Sequence, residues 1–242
     1  MFIPQDTERQ RITGLNISSV SGTSLQITDD VFRNKKLYGK IKDPHDSFEI
    51  SISGSACTGI DIFEEFTDCP FSAAIFSAQT RLTEPGAHLK KYHHELSLED
   101  FDSPYDKTLR IMRDIPDVFR YNSGATEIHE SAENAMALGK GVCQDYAHIM
   151  ISLLRMERIP ARYVVGMMLG EGASHAWVEA LCKGYWYGFD PTNNKLVNDE
   201  YIKVSCGRDS NDCPVIKGSF FGNGIQNQKE EVIVECENSK TE

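Results

Sequence analysis

A thiol at Cys143, an imidazole at His175 and a carboxylate at Asp190 follow one another in the order a cysteine nucleophile, its base and an orienting acid would need. Cys143 comes directly after Gly141-Val142, His175 stands in Ser174-His-Ala-Trp177, and Asp190 precedes Pro191-Thr192. Each is placed where a secondary-structure element is expected to begin or end. Together these groups are the parts of covalent acyl transfer, in which an activated thiolate attacks a carbonyl and a positioned imidazole moves the proton.

The local contexts sharpen this reading. Cys143 is expected to open a helix, where unpaired backbone N–H groups and the positive end of the helix dipole favour thiolate over thiol. Its own N–H would then supply half of an oxyanion hole. Taken alone, Cys143 reads equally well as a buried structural cysteine. His175, Trp177 and Glu179 share one face of a strand by parity, and so do Trp186, Gly188 and Asp190. A four-residue loop at 181–184 would set His175 directly opposite Asp190. A two-residue Lys183-Gly184 turn would make them diagonal neighbours on one face, and an odd loop would separate them. The bland alternative makes His175 a strand histidine and Asp190 a turn residue before Pro191.

Other candidates are weaker. His148 lies roughly 140° round the helix from Cys143, which aims it poorly as a base. His93-His94 sits in a charged stretch and reads as solvated. Trp177 and Trp186 read equally as core or as groove walls. Tyr121, or another residue upstream, is a candidate second oxyanion donor.

The elements that must position these groups emerge from periodicity. Up to Glu84 the chain reads as a β-rich N-terminal region (1–84): short apolar stretches over 10–28, a period-2 strand from Phe48 through Ser53, and a strand over Phe71–Leu82. Glu84-Pro-Gly86 marks a boundary, with the catalytic core expected over 85–236 and a frayed tail over 237–242. In the core, Asp102-Ser-Pro104 starts a helix running from Tyr105 toward Arg113, with Pro116 interrupting it. A second helix spans about Ile128–Leu138 and ends at Gly139 and Gly141. A third starts at Val142-Cys143, carries Val142, Tyr146, Ile149, Met150, Leu153 and Leu154 on one apolar face, and is stopped by Pro160. Strands are expected over Ala161–Met168, Ser174–Ala180, Tyr185–Asp190 and Glu231–Glu235.

Composition bounds the rest. The 242 residues suffice for one large domain or two small ones. A net charge of −11 argues against nucleic acid or an anionic membrane as partner, since both want a basic patch. The first residues are polar and no apolar stretch approaches the length of a membrane span, so the expected location is cytoplasmic. The seven cysteines are scattered without a CxxC, which speaks against a disulfide framework and a structural zinc site. Most of those besides Cys143 read as small buried hydrophobes. No cofactor or metal is expected.

The motifs Gly141-Val-Cys-Gln-Asp-Tyr-Ala-His148, Ile159-Pro-Ala-Arg-Tyr163, Ser174-His-Ala-Trp-Val-Glu179 and Trp186-Tyr-Gly-Phe-Asp-Pro-Thr-Asn-Asn194 resemble the bacterial transglutaminase-like cysteine protease family. The similarity reaches back to Phe119–Thr126 and forward to Gly207-Arg-Asp209 and Pro214. It implies an α+β, papain-like core in which a helix with the nucleophilic cysteine packs on an antiparallel sheet. Cys143 would be the nucleophile, His175 the base and later acid, and Asp190 the orienting group. The implied reaction runs through a thioester acyl-enzyme on a peptide or protein substrate. Gln144 stands where animal transglutaminases carry Trp, and their calcium ligands are not recognisable, which tilts the expectation from crosslinking toward hydrolysis of peptide or isopeptide amides. An amine acyltransferase with the same triad, and a non-catalytic binding module on the same fold, are the alternatives.

Overall fold

The computed structural model describes residues 1–19, 24–61, 63–65, 70–125, 130–219, 221 and 227–237. The N-terminal part supplies β1 (Gln10–Ser19), β2 (Leu25–Asp29), β3 (Lys35–Gly39), β4 (Ile50–Thr58) and β5 (Phe63–Glu65), then α1 (Pro70–Ser77). Next come α2 (Ala87–Glu95), a 3-10 turn at Leu98–Asp100, α3 (Pro104–Val118), β6 (Arg120–Tyr121), α4 (Ala132–Leu138), β7 (Lys140–Gly141) and α5 (Cys143–Met156). The remainder is β8 (Ala161–Met168), β9 (Gly170–Gly172), β10 (His175–Cys182), β11 (Tyr185–Asp190), β12 (Lys195–Leu196), β13 (Tyr201–Gly207) and β14 (Val232–Val234).

The central sheet is antiparallel, in the order β12-β11-β10-β8-β13. Its outer edge is shared: β5 pairs with the first half of β11 and β12 with the last two residues. The N-terminal β-rich region thus contributes a strand to the same sheet as the core. Its other strands form two ribbons, β1 with β4 and β2 with β3. The alternation read from Phe48 onward appears as β4, whose first residues alternate between half-buried and exposed.

Helix α5 is the centre of the packing. Ile149, Met150, Leu153 and Leu154 are fully buried, as their spacing requires. The helix is buried well beyond one face, however: Asp145, His148, Ser152 and Arg155 are also enclosed. The sheet residues Ala176, Val178 and Ala180 pack on one side, while α2, α3 and α4 cover the other. A helix clamped between a sheet and three helices has no solvent face, so its polar residues must be paired inside. Arg155 illustrates this, donating to the Phe76, Ala161 and Arg208 carbonyls and to Thr83 Oγ1.

Two expectations about elements are corrected. Residues 70–77 are helix, not part of a strand over Phe71–Leu82. A short apolar run does not distinguish a buried helix from a strand, and here Pro70 suits the first helical position and Phe76 inserts edge-on against Trp186 at 5.5 Å. Helix α3 runs through Pro116 to Val118. Ser103 accepts from the Asp106 amide at 3.0 Å to start it, and Pro116 so near its end forfeits only one hydrogen bond while Ile111, Met112 and Ile115 stay packed. For the second helix, Ser131 caps α4 at Ala132 and Gly139 ends it with φ of 66°; the expected start at Ile128 lies outside the described residues, as do Cys69 and the tail beyond residue 237. Among the described residues, no helix is long and apolar enough to cross a membrane.

Candidate active site

Gly141 delivers Cys143 to its position. Strand β7 runs parallel to β6, with Tyr121 beside Gly141, and the chain then turns directly into α5. The Asp145 carboxylate folds back to accept the Val142 amide at 2.8 Å, satisfying one N–H of the helix start. A side chain at 141 would forbid this, since a Cβ there would lie 2.3 Å from Asp145 Oδ2. Cys143 is left half-buried in the first turn, where its amide has no carbonyl of its own helix to bond.

His175 and Asp190 are set by a hairpin. Lys183 and Gly184, with φ of 52° and 88°, make the two-residue turn between Cys182 and Tyr185. Phe189 therefore pairs with Val178, which places Asp190 opposite Trp177 and diagonal to His175. The two-residue turn anticipated from Lys183-Gly184 is the one that forms. His175 Nε2 bonds Asp190 Oδ2 at 2.8 Å, and Cys143 lies close enough to act on the charge of the imidazole. Burial opposes charging of the imidazole, but Asp190 and Cys143 outweigh it and lift His175 to about 9.

Asp190 is fully buried, and burial works against its charge; the bonds from His175, Tyr201 and Asn193 nevertheless hold it below the usual carboxylate range. Oδ2 accepts from His175 Nε2 at 2.8 Å, Tyr201 Oη at 2.7 Å and Asn193 Nδ2 at 2.7 Å. Oδ1 accepts from the Thr192 and Asn193 amides at 3.0 and 3.2 Å. The Asp-Pro turn is thus a carboxylate cradle. Tyr201 was not read as part of the site; the alternation of Ile202-Lys-Val-Ser-Cys206 could have marked its strand, β13, but not where that strand sits in the sheet.

The thiol and imidazole open onto a cleft of about 250 Å³ bordered by Tyr121, Met168, the 169–174 segment and Val232. Strand β14 pairs with β9 at its rim, and Glu230 Oε1 accepts the Ser174 amide at 3.0 Å, beside His175.

The other candidates fall elsewhere. His148 is fully buried, its Nε2 accepts from the Ser210 amide at 3.1 Å, and burial lowers it to about 4. His93 is half-buried and bonds Glu157 at 2.7 Å, with Lys107 on the same carboxylate; His94 is exposed. Trp177 and Trp186 are both core residues, 1% and 4% exposed. Trp177 stacks near His175 at 6.3 Å, and Arg162 lies over Trp186 at 4.4 Å. Of the remaining cysteines, Cys182, Cys206 and Cys213 are buried as expected of small hydrophobes, whereas Cys57 and Cys236 are exposed.

A first-turn cysteine packed against an antiparallel sheet that carries histidine and aspartate on adjacent strands defines a papain-like α+β protein. The family model of the transglutaminase-like superfamily matches residues 97–191, which include Cys143, His175 and Asp190. An uncharacterised protein of Mycobacterium leprae is 31% identical over 203 residues, covering 78% of this chain and 68% of its own length. An uncharacterised protein of Mycobacterium tuberculosis is 36% identical over 121 residues, 43% of this chain and 38% of its own. This chain belongs to the transglutaminase-like superfamily. Its fold is shared with a solved structure from Cytophaga hutchinsonii, described there as a candidate cysteine protease, at a TM-score of 0.73 and 24% identity over 91% of this chain and 78% of that one.

Proposed function

We propose that this protein is a cysteine-dependent hydrolase of peptide or isopeptide amide bonds, with Cys143 as nucleophile, His175 as base and acid, and Asp190 as the group that orients the imidazole. The observation that carries this reading is that Cys143 and His175 line one cleft, with the imidazole hydrogen-bonded to the buried Asp190 at 2.8 Å. An imidazole lifted to about 9 stays protonated at neutral pH, which sets a cation beside the Cys143 sulfur at the N-terminal end of α5.

The thiolate attacks the amide carbonyl carbon, and the carbonyl electron pair moves to oxygen. The Cys143 amide faces that charge as one oxyanion donor, and Tyr121, at the cleft edge beside Gly141, is the candidate for the second. Collapse breaks the C–N bond while the imidazolium gives its proton to the leaving amine, leaving a thioester. Water then attacks, His175 takes its proton, and the C–S bond breaks to return the thiolate and release the acid. Transfer to an amine differs only in that last nucleophile; Gln144, standing where animal transglutaminases have Trp, favours water.

The test is iodoacetamide labelling over pH 5–9 with the modified sites mapped, followed by screening of fluorogenic peptide and isopeptide amides with and without a primary amine. Rapid labelling of Cys143 well below pH 8, lost in His175→Ala, together with substrate cleavage, is the expected result. Labelling no faster than at the exposed Cys57 and Cys236 would point to a binding module and overturn the enzyme assignment. Capture of the added amine in the product would move it to acyl transfer.

A further inference from the structure

The cradle around Asp190 holds one member that lies outside the Cys–His–Asp line. Tyr201 is 4% exposed, on the strand β13 beyond β8 from the hairpin that carries His175 and Asp190. Its hydroxyl sits 2.7 Å from Asp190 Oδ2, the same oxygen that bonds His175. A carboxylate oxygen only accepts, so the phenol donates. The ring is fixed from two sides, edge-on to Trp177 at 5.3 Å and beneath the Lys195 ammonium at 5.2 Å. Gly166 permits this, because a Cβ there would lie 2.3 Å from the Trp177 ring and 2.2 Å from the Ile202 carbonyl.

Resting on the triad reading above, we propose that Tyr201 is a positioning residue of this site: its hydroxyl clamps Asp190 Oδ2 against His175 Nε2 and keeps the buried carboxylate ionised. Rotation of the carboxyl group would break the phenol bond together with the imidazole bond, so the two donors lock each other's acceptor. Burial and the adjacent carboxylate push the Tyr201 phenol far above its ordinary value, so it remains a donor across the working pH range. The charged or titratable groups around this network are Asp190 on β11, His175 on β10, Cys143 on α5, Lys195 on β12 and Glu200 before β13. Among them the phenol acts on Asp190 by lowering the pH at which it takes up a proton.

The experiment is the pH profile of Cys143 alkylation in wild type, Tyr201→Phe, Asp190→Asn and His175→Ala, with thermal melting of each. Tyr201→Phe is expected to melt cooperatively, to label on the order of tenfold more slowly at pH 6, the scale of one charge-assisted hydrogen bond, and to move its acid limb upward. Site-specific 3-fluorotyrosine at 201 keeps the ring and makes a stronger donor, so it should move that limb the opposite way; this decides the matter if Tyr201→Phe does not fold. Profiles of both variants superimposable on wild type would overturn the role of Tyr201 while leaving the triad intact, provided His175→Ala still slows labelling. If His175→Ala labels as fast as wild type, the triad reading itself fails, and the assignment of Tyr201 with it.

Discussion

At the level of single residues the chemistry depends on how burial and hydrogen bonds divide charge between three groups. Cys143→Ala removes the proposed nucleophile but almost no packing, so turnover should vanish while the melting temperature is unchanged; assay and calorimetry on one sample check both. Asp190→Asn keeps the volume but replaces an acceptor with a group that can donate, mis-setting the imidazole. The expected loss in kcat is roughly 10²–10⁴-fold with little change in KM. The pH dependence has a definite sign. His175 is raised from its ordinary 6.5 to about 9, so its contribution to stability is complete below about pH 6.5 and disappears as pH rises through about 9. The difference in unfolding free energy between wild type and His175→Ala should therefore shrink across pH 7–10. Activity should fall with an alkaline limb near the same value if, as proposed, the imidazolium is the acid that protonates the leaving amine.

Elements set the precision of that arrangement. The start of α5 relies on Gly141 making room for Asp145. Gly141→Ala should displace that carboxylate, costing about 0.5–2 kcal/mol as a lost N-terminal cap. It should also slow Cys143 labelling, because the first turn carries the thiol; denaturant unfolding and alkylation read the two effects separately. The β10–β11 hairpin relies on the Lys183-Gly184 turn. Its register was decidable in advance only as a set of alternatives, because turn length fixes pairing: Gly184 announces a positive φ, but Lys183, which also takes one, does not. Strand β13, which brings Tyr201, did carry a sequence signal, since Ile202-Lys-Val-Ser-Cys206 alternates apolar and polar; its bulge between Lys203 and Ser205 breaks that alternation in the folded sheet.

Across the whole molecule, the N-terminal region is tied to the core by more than one strand pairing. Glu64 of β5 bonds Arg162 of β8 and, at 2.9 Å, Lys203 of β13. Glu179 of β10 bonds Arg162 at 2.5 Å and Lys203 at 2.8 Å. Two cations and two carboxylates thus cross-link four strands on the sheet face that also bears Trp177. Burial opposes ionisation of Glu64, but Lys203 and Arg162 hold its carboxyl far below the usual range. Its stabilising contribution is therefore present above the ordinary carboxylate range and lost as pH falls below it. Glu64→Ala leaves buried positive charge uncompensated and should cost about 3–5 kcal/mol, measurable by urea unfolding at pH 7. A chain beginning at residue 85 would lose that carboxylate and bare the edge of β11, and is expected to show no cooperative melt by circular dichroism.

Local chemistry was what the sequence could determine. A glycine before a cysteine at a helix start, a two-residue turn, an aspartate before proline and the apolar face of α5 are short-range patterns, and they were enough to single out Cys143, His175 and Asp190 as candidates, whereas the helix-on-sheet core was implied by the resemblance of whole motifs to the transglutaminase-like family. Tertiary structure alone decided the rest, because it depends on which distant segments meet. Residues 70–77 became helix through where Phe76 could pack, not through their own periodicity. The polar residues of α5 are buried because α2, α3 and α4 close over it. Asp190 is held by Tyr201 because a sheet of order β12-β11-β10-β8-β13 gathers β11 and β13, whereas its pairing with His175 follows from the Lys183-Gly184 hairpin. Hydrogen bonds of this kind act over about 3 Å but span long loops of chain, and no local spacing encodes them.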